Sequence, residues 1–393
     1  MSLKTAIIGV GQTKYEFRSE EKTWPELARE ASARALKHAR ISIDDIDAVV
    51  LGLAPSVFVG VNAAERWVAG AVGAVGKPFL RINTGGATGG SAAQAGYYHV
   101  ASGTAKTTLV VGADKIAESQ DAQQLLSSAF DPFYERAFGI NAINMCSFQG
   151  IRHMHKYGTT LRQLAEVAVR SRANGMRNPY AHLQKPISID EALAARNICY
   201  PLKLSDCCPR SSGACAIVIA EEQVVKQVCT RPAWVRGYGA RSNTFYMGDK
   251  MGPRLETDHA DFDDLALATR DAYSMAGITD PPREVSVAEI YAPFTCTEIA
   301  AVEALGLCPK GQGGPMAVAG AWDMNGQVPV NPSGGTLCSN PIAATALVRV
   351  CEAALQVMQD AGERQVPGAQ IAVATGIGGS LQFHTSMVVG ADM

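Results

Sequence analysis

Between Arg81 and Lys115 the chain reads RINTGGATGGSAAQAGYYHVASGTAKTTLVVGADK. A glycine-rich turn runs straight into a helix of small residues, predicted from Ser91 to about Ser102, and the unbroken apolar run TLVVGA reads as a buried strand. Glycine lets the backbone take positive φ in a tight turn. Backbone N–H groups at such a turn, and at the helix N-terminus behind it, are also fixed dipoles that can hold an oxyanion. The stretch by itself leaves both uses of its glycines open.

Outward from this stretch, the same succession occurs twice. The first half has a strand from Ala6 to Gly9, a helix ending near ARALKHARISIDDID (Ala33 to Asp47) and the strand AVVLGL, followed by the glycine turn, its helix and TLVVGA. The second half has PAWVRGYGA (Pro232 to Ala240), a helix ending near ATRDAYSMAGITD (Ala268 to Asp280) and the strand VSVAEIY. The turn NPSGG (Asn331 to Gly335), a helix from about Pro341 to Gln359 and the strand AQIAVATG follow. The two series are offset by about 230 residues, which implies a repeated unit. Strands alternating with helices imply an α/β protein, with mixed or parallel sheets covered by helices. The expected division is 1–230 for the first half and 231–393 for the second. The first half holds an insertion over about 119–200, marked by FDPFYERAFG and RHMHKYGTT. Within it, Leu161 to Gly175 predicts an amphipathic helix, and Ser188 with Glu191 a capping box.

Composition narrows the function. The 393 residues are 47% hydrophobic and 18% charged, which suits a compact α/β protein of two or three domains. Thirty-five basic residues stand against 37 acidic ones, for a net charge of −2. That balance lacks the basic footprint of a nucleic-acid binder, though a local patch for a phosphate is compatible with it. No apolar run reaches a membrane-spanning length, and the N-terminus lacks the layout of a signal peptide. The ten cysteines include no CxxC pair, although Cys207 and Cys208 are adjacent. The pattern predicts a reduced, cytoplasmic setting and no metal site.

Further motifs complete the picture: YAPF at Tyr291 to Phe294, NPSGG, SNP at Ser339 to Pro341, and GIGG at Gly376 to Gly379. In order and spacing these resemble the thiolase superfamily, most closely its sterol-carrier-protein-type branch, and the likeness covers nearly the whole chain. KYGTTLRQLAEVAVRSRANGMRNPYA and YPLKLSDCCPRSSGACAIVIA resemble the same branch, with Ser212 where that family tends to have aspartate. The resemblance implies two duplicated halves in a five-layer αβαβα thiolase fold with a loop domain over the active site. It also implies acyl-CoA substrates, with coenzyme A as part of the substrate and no permanently bound cofactor, and a homodimer. The nucleophilic cysteine of the family is missing. Its C-A-S-G-like sequence is Gly86-Ala87-Thr88-Gly89 here, its G-H-P is Ser339-Asn340-Pro341, its H-D-x-F is Tyr291-Ala292-Pro293-Phe294, and its late cysteine matches Gly376.

The expected site is therefore Tyr291, Asn340, Gly86 and Gly378. Tyr291 closes the strand VSVAEIY. Its phenol is normally protonated, so proton donation is its easier role, and packing at the strand end is the bland one. Asn340 can donate a hydrogen bond to a thioester oxygen, or cap the helix that begins near Pro341. Gly86 and Gly378 offer backbone donors in two turns. Cys338 and Cys296 flank these motifs, and either is a replacement nucleophile or a small buried hydrophobe. Thr88 and Ser91 are further hydroxyl candidates with no base beside them. His153 and His155 face a phosphate or solvent, and the other histidines read as surface or structural groups. Three functions follow. The first is an aldolase-type lyase acting on a 3-hydroxyacyl-CoA, similar to steroid side-chain aldolases that lack the cysteine and bind a small zinc-ribbon/OB-fold partner. The second is an acyltransferase acting on a 3-ketoacyl-CoA, aromatic ones included, through a non-standard nucleophile. The third is a scaffold subunit without chemistry. A second tyrosine near Asn340, expected for the first, is absent.

Overall fold

The computed structural model describes residues 3–53, 63–119, 122–250 and 258–393. The first half opens with β1 (Thr5–Gln12), buried along its whole length, and α1 (Trp24–Ala39). A Thr23–Glu26 capping box starts α1, and Arg40 in the left-handed region ends it. β2 (Ala48–Gly52), β3 (Phe79–Ile82), α2 (Thr88–Ala101) and β4 (Thr107–Asp114) follow. The inserted segment contributes α3 (Ala142–Tyr157) and α4 (Leu161–Gly175), and β5 (Gly213–Glu221) returns the chain to the sheet. The second half runs β6 (Ala233–Ser242), α5 (Asp263–Ala276), β7 (Val287–Glu289), α6 (Thr295–Ala304), α7 (Ile342–Val357), β8 (Ile371–Gly378) and β9 (Phe383–Gly390).

These nine strands form one sheet in the order β3-β2-β4-β5-β1-β6-β9-β8-β7, and a separate two-stranded sheet pairs Asn197–Cys199 with Leu202–Lys203. Outward from the β1–β6 seam, β1-β5-β4-β2 on one side corresponds to β6-β9-β8-β7 on the other. The repeat in the sequence is thus a repeat in topology. β2 runs parallel to β3 and β4, and β7 parallel to β8, while the remaining pairs are antiparallel, so the sheet is mixed. The seam is short, with only Ala6↔Trp234 and Ile7↔Ala233 paired. α2 and α7 pack on each other, and α7 touches strands of both halves. α1 covers the outer face of the first half and α5 that of the second. The layers therefore run helix, sheet, helix, sheet, helix, as the thiolase resemblance implies.

The outer helices sit unusually close to their strands. A Cβ at Gly9 or Gly11 of β1 would strike the carbonyl oxygens of Ala35 and Ala31 in α1. A Cβ at Gly237 or Gly239 of β6 would strike those of Ala272 and Ala268 in α5. Each half thus sets a Gly-x-Gly strand against an Ala-x-x-x-Ala helix.

Several boundaries differ from the sequence reading. α2 starts at Thr88 rather than Ser91, because the Thr88 hydroxyl caps its own turn: it accepts from Thr84 N–H at 2.9 Å and donates to the Gly85 carbonyl at 2.5 Å. β7 stops at Glu289, so Tyr291 lies two residues beyond the strand rather than at its end. β3, β5 and β9 add strands to the predicted succession. β9 was hidden because buried His384, Thr385 and Ser386 break its apolar run. The helix over Leu161–Gly175 and the Ser188–Glu191 capping box stand as predicted.

Two outcomes follow from this packing. Gly237→Ala lowers the unfolding free energy in urea by about 1–3 kcal/mol, the scale of overpacking against backbone. Gly70→Ala, whose Cβ meets nothing, leaves it nearly unchanged. His384 supplies the second. It is buried, its Nε2 lies 3.0 Å from the Leu381 carbonyl, and Phe262 packs edge-on against its ring. Burial lowers its pKa from 6.5 to about 4, partly opposed by the Leu381 bond and Asp264. The unfolded chain takes up the proton first, so this contribution is present above pH 6.5 and lost as pH falls toward 4. Wild-type stability therefore drops more steeply across that window than that of His384→Gln.

Candidate active site

The ends of β7 and β8 and the starts of α2 and α7 enclose a cavity of about 600 Å³. Gly86, Tyr291, Asn340 and Gly378, separated by up to most of the chain, all line it. Leu125, Phe130, Ile143, Met145 and Leu381 form apolar walls, most of them from the inserted segment. Among the described residues no Asp, Glu, His or Lys lines the cavity, and Arg210 is its one charged side chain.

Tyr291 is held through its backbone. Ile290 N–H donates to Asn331 Oδ1 at 2.7 Å, Tyr291 N–H to Thr375 Oγ1 at 3.0 Å, and Ala292 N–H to Thr336 Oγ1 at 3.2 Å. Asn331 sits at φ 50 within NPSGG and donates to Glu298 at 2.6 Å, and Glu298 pairs with Arg170 of α4. Glu289 pairs with Arg349 of α7, and both bond the Ser333 hydroxyl. Tyr291 is only 4% exposed and lines the cavity, and its hydroxyl makes no hydrogen bond among the described residues. Burial, reinforced by the neighbouring Cys208 thiol, pushes the phenol well above its ordinary pKa, so it remains protonated.

Gly86 and Tyr291 share one space. A Cβ at residue 86 would lie 2.7 Å from the phenol oxygen and 3.1 Å from Cζ, and would strike the Ile377 carbonyl. The phenol therefore stands where a side chain at position 86 would project. Gly378 is the last residue of β8 rather than part of a turn; the positive φ of 63° belongs to Gly379. A Cβ at Gly378 would collide with Thr84 and Ala87, so the two glycine segments lie backbone to backbone. Gly376 does not reach the cavity, and the Thr385 hydroxyl and Ala346 fill its side-chain space.

Asn340 does not cap α7, whose N-cap is Pro341. Its Oδ1 accepts from Thr345 Oγ1 at 2.8 Å, and its Nδ2 donates to Cys208 Sγ at 3.0 Å. The Thr345 contact fixes the amide with its Nδ2 directed at the thiol of Cys208, a residue of the cavity wall. The other candidates fall away from the cavity. Cys338 is fully buried and bonds the Ser171 carbonyl, and Cys296 bonds that of Cys146. Burial pushes both thiols up to about 12. The Thr88 hydroxyl is spent on Gly85, and that of Ser91 pairs with Thr84 at 2.8 Å. His153 is buried between Thr159 and Glu303, and only His155 faces solvent.

Sequence reasoning missed Cys208 and Arg210. Cys208 is the thiol beside Asn340; burial pushes it up to about 12, while the Asn340 bond pulls it down. Both residues lie in CCPR, a stretch noted for its adjacent cysteines and its family likeness, and no spacing rule connects it to Asn340. No group of three or more His, Cys, Asp or Glu gathers as a metal site among the described residues, and no described helix is long and apolar enough to cross a membrane.

Comparison with known proteins identifies the family of the fold. The thiolase N-terminal domain family matches residues 5–197, and the thiolase C-terminal domain-like family residues 254–391. An acetyl-CoA acetyltransferase of Methanothermobacter thermautotrophicus is 30% identical over 95% of this chain and 96% of its own. Sterol carrier protein 2 of Bos taurus is 31% identical over 95% of this chain and 70% of its own. The solved Ltp2-ChsH2(DUF35) aldolase superposes over 100% of this chain and 98% of its own, with TM-score 0.86 at 24% identity. Human mitochondrial 3-ketoacyl-CoA thiolase superposes with TM-score 0.75 at 14% identity, over 100% and 99%. The duplicated halves, the glycine floor and these matches together make the chain a member of the thiolase superfamily, in the branch that holds sterol carrier protein 2 and its lipid-transfer-like relatives.

Proposed function

We propose that the protein is a carbon–carbon lyase that cleaves a 3-hydroxyacyl-CoA by a retro-aldol reaction, without a covalent enzyme intermediate. The Tyr291 phenol in the space beside Gly86 carries this reading. A thioester entering the cavity meets a protonated phenol where acyl transfer needs a nucleophile. The backbone at Gly86 and Gly378, with the Asn340 amide, is assigned to the thioester oxygen, where negative charge develops as the bond breaks. As the carbon–carbon bond breaks, the phenol oxygen takes up the 3-hydroxyl proton and the phenol's own proton passes to the α-carbon of the acyl-CoA enolate, so Tyr291 is regenerated and the products are a shortened acyl-CoA and an aldehyde or ketone.

The apolar walls suit a bulky acyl group, with a steroid side chain as the leading candidate. The likeness to an aldolase whose name carries a second, DUF35 component supports a small zinc-ribbon/OB-fold partner. A homodimer and a cytoplasmic setting complete the proposal.

The acetyltransferase name of a 30% identical relative favours a second reading, acyl transfer from a 3-ketoacyl-CoA. Cys208 is the thiol then placed beside Asn340. Its elevated pKa leaves little thiolate at neutral pH, which weighs against it.

Mass spectrometry of products from matched 3-hydroxyacyl- and 3-ketoacyl-CoA esters separates the two. Cleavage of the hydroxy esters without added CoA supports the lyase, and cleavage of keto esters only with CoA replaces it. Tyr291→Phe lowers turnover by at least about tenfold, the minimum expected of a general acid. Gly86→Cys does not create an acyl-enzyme detectable by intact mass, and it lowers lyase activity because its side chain displaces the phenol.

A further inference from the structure

An apolar cavity whose described lining carries one cation selects more than apolar bulk. We infer that Arg210 is a specificity residue that pairs with a carboxylate on the acyl group, so that the substrate is the CoA thioester of an apolar acid bearing a second acidic group. The inference rests on the proposed reading of the cavity as an acyl-CoA site.

Arg210 is rooted beside the reactive floor. Cys208 N–H donates to the Pro293 carbonyl at 2.9 Å, Asn340 Nδ2 to Cys208 Sγ at 3.0 Å, and Ser211 N–H to the Asn340 carbonyl at 3.2 Å. The 208–211 segment is thereby stitched on both sides to the two motifs that carry Tyr291 and Asn340. The Arg210 guanidinium makes no hydrogen bond or ion pair among the described residues. It lies over the ring of Phe17, 5.9 Å from the centroid. Phe17 is placed there by paired backbone bonds between Glu16 and Ser212, at 2.7 and 3.2 Å. Arg18 lies over the same ring but has Glu20 as its ion partner, 3.8 Å away, and does not line the cavity. An aromatic face supports a guanidinium while leaving its N–H fork free for a planar, bidentate acceptor. Among the described residues no carboxylate lines the cavity to neutralise it.

The anionic oxygen has two sources on such a substrate, a CoA phosphate or a carboxylate on the acyl group. The phosphates are separated from the thioester by the whole pantetheine arm. Arg210 starts next to Asn340, at the thioester itself, so the nearer source is the acyl group.

The test measures binding to matched saturated thioesters: glutaryl against pentanoyl, and suberyl against octanoyl, each as a CoA and as a pantetheine ester. None carries a 3-hydroxyl to cleave, so the result does not depend on which reaction the enzyme performs; the lyase proposal stands or falls on the product analysis. Wild type binds the carboxylate member of a pair more tightly by about tenfold or more, the scale of a charge-assisted hydrogen bond. Arg210→Gln abolishes the preference, and Arg210→Lys keeps part of it. A ratio near one in wild type, or a ratio unchanged in Arg210→Gln, overturns the inference. So does a loss in Arg210→Gln that weakens both members of a CoA pair equally, since the partner is then a phosphate. Arg210 is exposed, so these variants do not threaten the core.

Discussion

Ile290, Tyr291 and Ala292 present three successive backbone N–H groups to side chains instead of to a neighbouring strand. That exchange turns the end of β7 into a floor. A strand that continued would send Tyr291 into a ladder, whereas three side-chain acceptors from separate segments hold it at a fixed height over Gly86. One acceptor, Asn331, is itself fixed by Glu298, and Glu298 by Arg170 in the inserted segment. Removing either partner of that pair leaves a charge buried and unmatched, which costs about 3–5 kcal/mol in such settings. The inserted segment and the second half are therefore joined by charge as well as by packing.

The central helix obeys the same constraint. All 16 residues of α7 are buried, yet they include Arg349, Glu352 and Gln356. Arg349 meets Glu289, and Glu352 meets Arg364 at 2.8 and 3.2 Å and Gln12 at 2.8 Å. Each buried charge has a partner on a different element, and these pairs fix the rotational setting of α7. A uniformly apolar helix would have tolerated sliding, and the start of α7 carries Asn340 and Ile342 into the cavity wall.

The duplicated halves were legible because strands and glycine turns recur at a fixed offset, and because Gly9-Val10-Gly11 and Gly237-Tyr238-Gly239 mark equal close approaches. The motifs also named four residues that do converge on the cavity. The sequence could not give the lengths of β7 and α2, since hydrogen bonds to Asn331 and Thr88 side chains set those ends. It hid β9 behind buried polar residues. Cys208 and Arg210 were illegible for a different reason. Cys208 gains its relevance from a bond to Asn340, 132 residues away, and Arg210 from its place on the cavity wall, and nothing local in Cys-Cys-Pro-Arg announces either. Conversely, Cys338 and Cys296 stood beside informative motifs in the chain, but neither lines the cavity, and their thiols bond the Ser171 and Cys146 carbonyls.

The shared space at Gly86 and Tyr291 bears on how such a protein diverges. A Cβ at 86 would lie 2.7 Å from the Tyr291 hydroxyl, so the two positions compete for one volume. A larger residue at 86 requires a smaller or displaced one at 291, and substitutions at the two positions are therefore coupled.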